Sequence, residues 1–238
     1  MIKEQKITLP DVSVKRKGDA IMIVRENFEL QLKELQEKIV KLANLASGAI
    51  SKSYAALESN NVDEALEVID DDTIADLLEE EINDFAILLI AKQQPVAIDL
   101  RRIIAAIKIA SDIERMADFG VNIAKSAIRI GDQPFILPLT PLKQMHDITL
   151  KMIRLSIEAF EKEDVVLSRE IIEMDDEVDR FYGEMIRSLL RLSDEKNLQQ
   201  VTQLSLIARY LERTADHTTN IAENIYFLVR GRYISRNE

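Results

Sequence analysis

The chain has 238 residues, 47% hydrophobic and 31% charged, which gives enough apolar side chain for a substantial core and too much for a disordered chain. Its 42 acidic against 31 basic residues leave a formal charge of −11, an argument against a general nucleic-acid or anionic-membrane binder. Cysteine is absent, so disulfides, thiolate catalysis and Cys-based metal sites are excluded.

The first twenty residues carry lysines but no long apolar run, unlike a signal peptide. The apolar run 86–91 falls far short of the about 20 residues a spanning helix needs. The expectation is a soluble, cytoplasmic protein without membrane insertion. Residues 1–22 read as an appendage, either a tail or a segment with a short strand at 21–24.

Six helices follow. The first spans about 23–57, with Phe28, Leu32, Leu35, Ile39, Leu42, Leu45 and Ala49 at three- and four-residue steps. The second opens on the capping-box-like Asn61-Val62-Asp63-Glu64 and extends to about Lys92. The third runs from near Val96 to Ile130, with Gly131 as terminator. Thr140-Pro141 reads as an N-cap with proline at N1, opening the fourth, to about Phe160. Asp164 opens the fifth, to about Leu192, and Ser193 the sixth, to near Gly231. With so few aromatics, glycines and prolines and no clear period-2 alternation, a large sheet is excluded. The chain is all-α: two antiparallel three-helix bundles, residues 23–131 and 141–231, joined by a linker at 132–140 and ending in a tail at 232–238. Helices this long predict an elongated molecule.

The third and sixth helices contain a repeat at an offset of 98. Residues 109–124 and 207–222 share nine of sixteen residues, among them the Ile-Ala start, Glu-Arg, Ala-Asp and Asn-Ile-Ala. More weakly, Asp71 with Ile74 and Leu77 resembles Asp175 with Val178 and Phe181. A duplicated three-helix unit follows. The apolar members, Ile109, Ile113, Met116 and their counterparts Ile207, Leu211, Thr214, are core seams.

Glu114 and Asp118 lie four apart on one helix face, as do Glu212 and Asp216. Like charges at this spacing repel unless something compensates. A cation accepting carboxylate oxygens would do so, and Asp71 and Asp175 from the preceding helices would complete each group. Plain helix-packing electrostatics stands beside that reading, with Arg115 and Arg213 pairing to acids across an interface. His217 is either a ligand of the second group or a solvated surface residue; His146 is structural or exposed. No Glu-x-x-His pair, Walker A loop, dinucleotide fingerprint or Gly-x-Ser-x-Gly elbow is present, which disfavours an enzyme and leaves no catalytic residue to name. In 95–102, proline opens the helix and Asp99 lies in its first turn, so capping explains most of the segment, with a partner surface at Arg101 and Arg102 as the alternative. Tyr226, Phe227, Arg230, Arg232 and Tyr233 either anchor the last helix or hold a ligand.

The paired Glu-x-x-x-Asp motifs, each in a Glu-Arg-x-Ala-Asp-x-x-x-Asn-Ile-Ala frame, resemble the signature of the PhoU family of phosphate-uptake regulators. Residues 95–101 and 172–179 resemble that family's entries to its third and fifth helices, and the likeness covers roughly 23–231. The resemblance implies two three-helix bundles and multinuclear iron or zinc clusters, with Glu114, Asp118, Glu212 and Asp216 as ligands and Asp71 and Asp175 contributing. Asp112 and Tyr210 differ at equivalent positions, so the two sites need not be alike. It further implies a homo-oligomeric cytoplasmic adaptor linking a phosphate ABC transporter, through its ATPase subunit, to a phosphate-sensing histidine kinase. That adaptor would repress uptake and the phosphate-starvation response, with no direct nucleic-acid contact. Two other classes stay open: a metal-dependent phosphate-binding or phosphoryl-transfer enzyme, and a purely structural helical scaffold.

Overall fold

The fold comes from a computed structural model that describes the backbone of residues 12–232 and side chains from Arg25 to Arg232. Among the described residues seven helices occur in order: α1 (Val12–Ser59), α2 (Val62–Asp70), α3 (Asp72–Gln93), α4 (Ala97–Ile130), α5 (Thr140–Lys162), α6 (Val165–Arg191) and α7 (Leu198–Arg230). Among the described residues there is no strand. The first bundle is α1, α2–α3 and α4; the second is α5, α6 and α7.

Several expectations about the elements need correction. Residues 21–24 are neither strand nor tail but part of α1, whose 48 residues extend about 72 Å. A strand there would need a pairing edge, and an all-helical fold offers none. The expected second helix is two helices. It breaks at Asp71, which caps both pieces: its N–H bonds Glu67 O at 3.0 Å, and its carbonyl accepts from Ile74 N at 3.0 Å. Three consecutive aspartates, Asp70 to Asp72, sit at the break, and short acidic side chains favour caps over helix interiors. The last helix starts at Leu198 rather than Ser193, because Asp194 turns the chain by accepting from Asn197 N at 2.9 Å. Residues 1–11 and 233–238, including Tyr233, lie outside the described residues.

Thr140 is the first residue of α5 rather than its cap, because Leu139 precedes the helix without a side-chain bond, as Val96 precedes α4; side-chain caps mark the starts of α2 and α6. Asn61 Oδ1 accepts from Glu64 N, and Asp164 Oδ1 accepts from Val166 N and Leu167 N. Each cap follows a residue with φ of +52°, Asn60 and Glu163. These positions are 103 apart, and that offset extends the repeat into helices whose identities had diverged. Buried Ile39, Leu42, Ala46, Ile50 and Leu57 of α1 match buried Leu142, Met145, Thr149, Ile153 and Phe160 of α5. Buried Ala75, Leu78, Ile82 and Ala86 of α3 match buried Val178, Phe181, Met185 and Leu189 of α6. A core serine recurs too: Ser53 bonds Ile50 O and Ser156 bonds Ile153 O. The difference between 103 and the 98 of α4 and α7 is a five-residue shorter path from α6 into α7.

The bundles meet chiefly through α4 against α7, with α1 also touching α5, and one hydrophobic core runs from Phe28 to Leu228 through both. Met116 meets Thr218, Asp112 meets His217 and Phe119 meets Tyr210, so α4 and α7 run antiparallel. Gly120 lets α1 approach α4: a Cβ there would lie 2.8 Å from Ala49 Cβ and 2.9 Å from its carbonyl carbon.

Arg101 and Arg102 are not held out for a partner. Arg101 Nε donates to Leu228 O at 3.2 Å near the end of α7. Arg102 Nε donates to Glu163 Oε1 at 2.7 Å, and its Nη1 reaches Asp99. Asp99, buried at the start of α4, also accepts from Arg25 Nη1 at 2.6 Å. The guanidinium groups thereby tie α1 at Arg25 and the ends of α5 and α7 to the start of α4, since a buried carboxylate requires cationic partners. Tyr226 is likewise an anchor: it is buried, with the Arg169 guanidinium 5.9 Å from its ring centre.

Candidate metal centre

Each bundle carries one group of carboxylates, where α4 faces α3 and where α7 faces α6. In the first, one oxygen from each of Asp72, Asp76 and Asp118 lies within 4.8 Å of the other two. Glu114, one turn before Asp118, feels the charges of Asp118, Asp76 and Glu79. In the second, Asp175 of α6 feels the charges of Glu212 and Asp216 of α7, and Asp179 that of Asp216, but among the described residues no three ligand oxygens converge there as they do in the first. Both groups have the same construction: an Asp-x-x-x-Asp pair on one helix opposite a Glu-x-x-x-Asp pair on the next. The four-residue steps place both members of each pair on a single face.

Of the sequence candidates, Asp118 belongs to the converging group of oxygens and Asp71 lies outside it. Its side chain is 62% exposed and sits 3.9 Å from Lys52, outside the first group. Its place is taken by Asp72. The sequence register paired Asp71 with Asp175 and Ile74 with Val178, an offset of 104. Burial shows the offset is 103: Ala75 and Leu78 are the core residues, whereas Ile74 and Leu77 are 49% and 60% exposed. A one-residue slip rotates a helix position by about 100°, enough to take a carboxylate out of the site. Sequence reading also missed Asp72, Asp76 and Asp179. The recurring Asp-x-x-x-Asp at 72–76 and 175–179, at that same offset, was the signal for all three.

The electrostatics are unfavourable as the groups stand. Burial pushes Asp72, Glu114, Asp179 and Glu212 above the ordinary carboxylate range, and neighbouring carboxylates push further. Asp175 is pushed up to about 6, by burial first and then by Asp179, Asp216 and Glu212. The arginines compensate only partly. Arg115 bonds Asp118 at 2.9 Å, Arg209 bonds Glu212 at 2.5 Å and Arg213 lies 3.6 Å from Asp216. These pairs run along one helix rather than across an interface. Two buried carboxylate oxygens, Asp72 Oδ1 and Glu212 Oε2, have no hydrogen-bond partner. A hard or borderline cation needs such oxygens, and they need a cation, so the donor set fits a metal ion.

Neither histidine joins these groups. His217 is not solvated and not part of the second group: its Nδ1 lies 2.8 Å from Asp112 Oδ1 across the α4–α7 seam, with Phe119 against its ring. Asp216, its neighbour in sequence, points about 100° away around the helix. Asp112, rather than distinguishing the metal groups, is part of that seam. His146 is structural, buried and stacked on Tyr54 with ring centres 4.2 Å apart.

No helix among the described residues is long and apolar enough to cross a membrane. The PhoU domain family matches residues 39–127 and 142–225, one copy in each bundle. The chain is 40% identical over 185 residues to a phosphate-specific transport system accessory protein PhoU homolog of Aquifex aeolicus, covering 77% of this chain and 84% of that one. It is 35% identical over 207 residues to the protein of the same description in Rhizobium meliloti, covering 86% and 87%. The crystal structure of PhoU from Pseudomonas aeruginosa superposes with a TM-score of 0.82 at 27% identity, over 86% of this chain and all of that one. The phosphate transport system regulatory protein PhoU from Streptococcus pneumoniae gives 0.81 at 28%, over 87% and 99%. With two matched domains and relatives aligned over most of its length, this chain belongs to the PhoU family.

Proposed function

We propose that this protein is a non-catalytic regulatory accessory protein of phosphate transport, acting in the cytoplasm as a repressor of uptake and of the phosphate-starvation response. The observation that supports this reading is a converging carboxylate group in the first bundle and crowded carboxylates at the repeat positions of the second, in a chain whose relatives are described as accessory proteins of the phosphate-specific transport system. Its partners are the ATPase subunit of a phosphate ABC transporter and a phosphate-sensing histidine kinase.

Asp72, Asp76, Glu114 and Asp118 would hold one metal centre, and Asp175, Asp179, Glu212 and Asp216 the other. Iron or zinc bound there would supply the positive charge that four crowded carboxylates lack, and would brace α3 to α4 and α6 to α7. The chain's own contribution is to hold each pair of acids on a rigid helix and to keep Arg115, Arg209 and Arg213 on the rim. With the sites so braced, the outer helix faces are fixed in shape for partner recognition.

The test is a deletion strain complemented with the parent or with a variant lacking both α4 and α7 acidic pairs. The parent restores repression of a phosphate-starvation reporter at high phosphate and co-purifies with transporter ATPase or kinase. Co-purification with neither, under both high and low phosphate, overturns the proposal.

A further inference from the structure

The two halves of this chain differ on one surface where the fold does not require it. On the outer face of α2 and α3, Leu66, Ile74, Leu77 and Leu88 are 46%, 49%, 60% and 44% exposed. Ile74, Leu77 and Leu88 follow the three- and four-residue steps of a helix-docking seam, with Glu81 and Asp84 at the steps between. At the offset of 103 the counterparts on α6 are Arg169, Glu177, Arg180 and Arg191, all exposed and all charged. These four positions thus carry charged residues in the second bundle and an apolar stripe in the first, whereas Ile87 and its counterpart Leu190 are exposed and apolar in both. Packing inside the bundle does not account for the stripe, because Ala75, Leu78 and Ile82 already supply the core side of α3.

Charge defines what would cover it. Residues 62–91 contain eleven acidic side chains and no lysine, arginine or histidine. Glu67, Asp70, Glu80 and Asp84 are exposed beside the stripe, and Glu81 is held by Lys38 of α1 at 2.7 Å. An anionic lipid surface or a nucleic acid would be repelled. A second copy docking through this same acidic face would set like charge against like charge. We propose that the outer face of α2–α3 is a docking surface for a partner protein that presents a cationic amphipathic helix, its apolar side on Leu66, Ile74, Leu77 and Leu88 and its lysines or arginines toward the flanking acids. This deepens the accessory-protein reading and rests on it for the biological partner, but the surface chemistry is testable alone.

The probe is a synthetic 18-residue leucine–lysine peptide with one apolar helical face and a photoreactive group, titrated onto the full chain with and without chelator. A control peptide has the same composition scrambled to remove that face. The variant Leu66→Arg, Ile74→Glu, Leu77→Arg, Leu88→Arg installs the residues α6 carries at the same positions, so its fold is expected to hold, with circular dichroism as the check. The parent should bind the amphipathic peptide about tenfold more tightly than the variant does, weaken as salt rises and crosslink within α2–α3. Equal binding to the variant, equal binding of the scrambled peptide, or crosslinks elsewhere would overturn the proposal. So would a parent dimer in sedimentation that the variant converts to monomer, since the occupant would then be a second copy. Co-purification with transporter or kinase is scored separately. If the peptide fails while co-purification persists, this surface is wrong and the accessory role stands. If the peptide binds while co-purification fails, the reverse holds.

Discussion

Asp112 and His217 meet across the α4–α7 seam at 2.8 Å, in the positions where their repeat counterparts, Tyr210 and Phe119, stack with ring centres 5.9 Å apart. Residue 217 is the counterpart of 119, and 210 of 112, so one crossing holds a polar pair and its mirror an aromatic pair. Asn220 adds a second donor to Asp112 at 3.3 Å. The duplicated halves therefore close on each other with two chemistries about one approximate two-fold axis.

That pairing predicts coupling. Asp112→Tyr alone leaves His217 without its carboxylate and His217→Phe alone leaves Asp112 with only the longer Asn220 contact, at roughly 1–3 kcal/mol each. The double variant reproduces the aromatic pair of the other crossing and should recover part of that loss. Urea unfolding of the parent, both singles and the double gives the coupling energy. Additive losses would mean that the pair does not hold the seam.

Gly120 is a second dependence. Alanine is the better helix former by about 1 kcal/mol. Here its Cβ would press on Ala49 Cβ and backbone at under 3 Å, and overpacking of that kind costs roughly 1–3 kcal/mol. Backbone cannot move aside as a flexible side chain can, so the clash wins. Gly120→Ala should lower the melting temperature, and Ala49→Gly added to it should restore part. An unchanged or raised melting temperature in the single variant would contradict the tight α1–α4 approach.

Much of this fold is written in periodicity and caps, which is why Asn61, Gly131 and Asp164 mark boundaries correctly. The α4–α7 repeat is legible because its identities survive without gaps. In α1–α3 against α5–α6 few identities survive and burial carries most of the match: Ile39 becomes Leu142 and Ala75 becomes Val178, and identity matching then drifts by one residue. That drift selected Asp71 over Asp72 and hid Asp76 and Asp179. Arg101, Arg102 and His217 misled for another reason. Their partners, Leu228, Glu163 and Asp112, are distant in sequence and come near only through packing.

The second carboxylate group makes stability depend on pH in the absence of metal. Asp175 titrates at about 6 in the fold, against about 3.9 unfolded, so the folded state holds more protons between those values. A raised carboxyl contributes stability that is present below the unfolded value and lost as pH rises through the folded one. In chelator, Asp175→Asn should therefore stabilise the protein at pH 7.5 and gain little at pH 4. Denaturant titrations at the two pH values check this. A gain of the same size at both would show that Asp175 is not crowded by like charge.

The corrected register separates two adjacent aspartates. Asp72→Asn should reduce metal content at the first centre and spare the second, whereas Asp71→Asn should leave both intact and lose only its exposed contact with Lys52. Elemental analysis of each variant per folded chain distinguishes them. Loss of metal with Asp71→Asn alone would restore the earlier register.

The most direct measurement is metal content per chain in protein purified gently, without chelator or histidine tag. It is compared with a Glu114→Gln, Asp118→Asn, Glu212→Gln, Asp216→Asn variant whose helicity matches the parent. The account predicts several equivalents of iron or zinc in the parent, lost in the variant. A stable, metal-free parent that stays metal-free after incubation with iron or zinc would contradict it and leave the two acidic groups as features of helix packing.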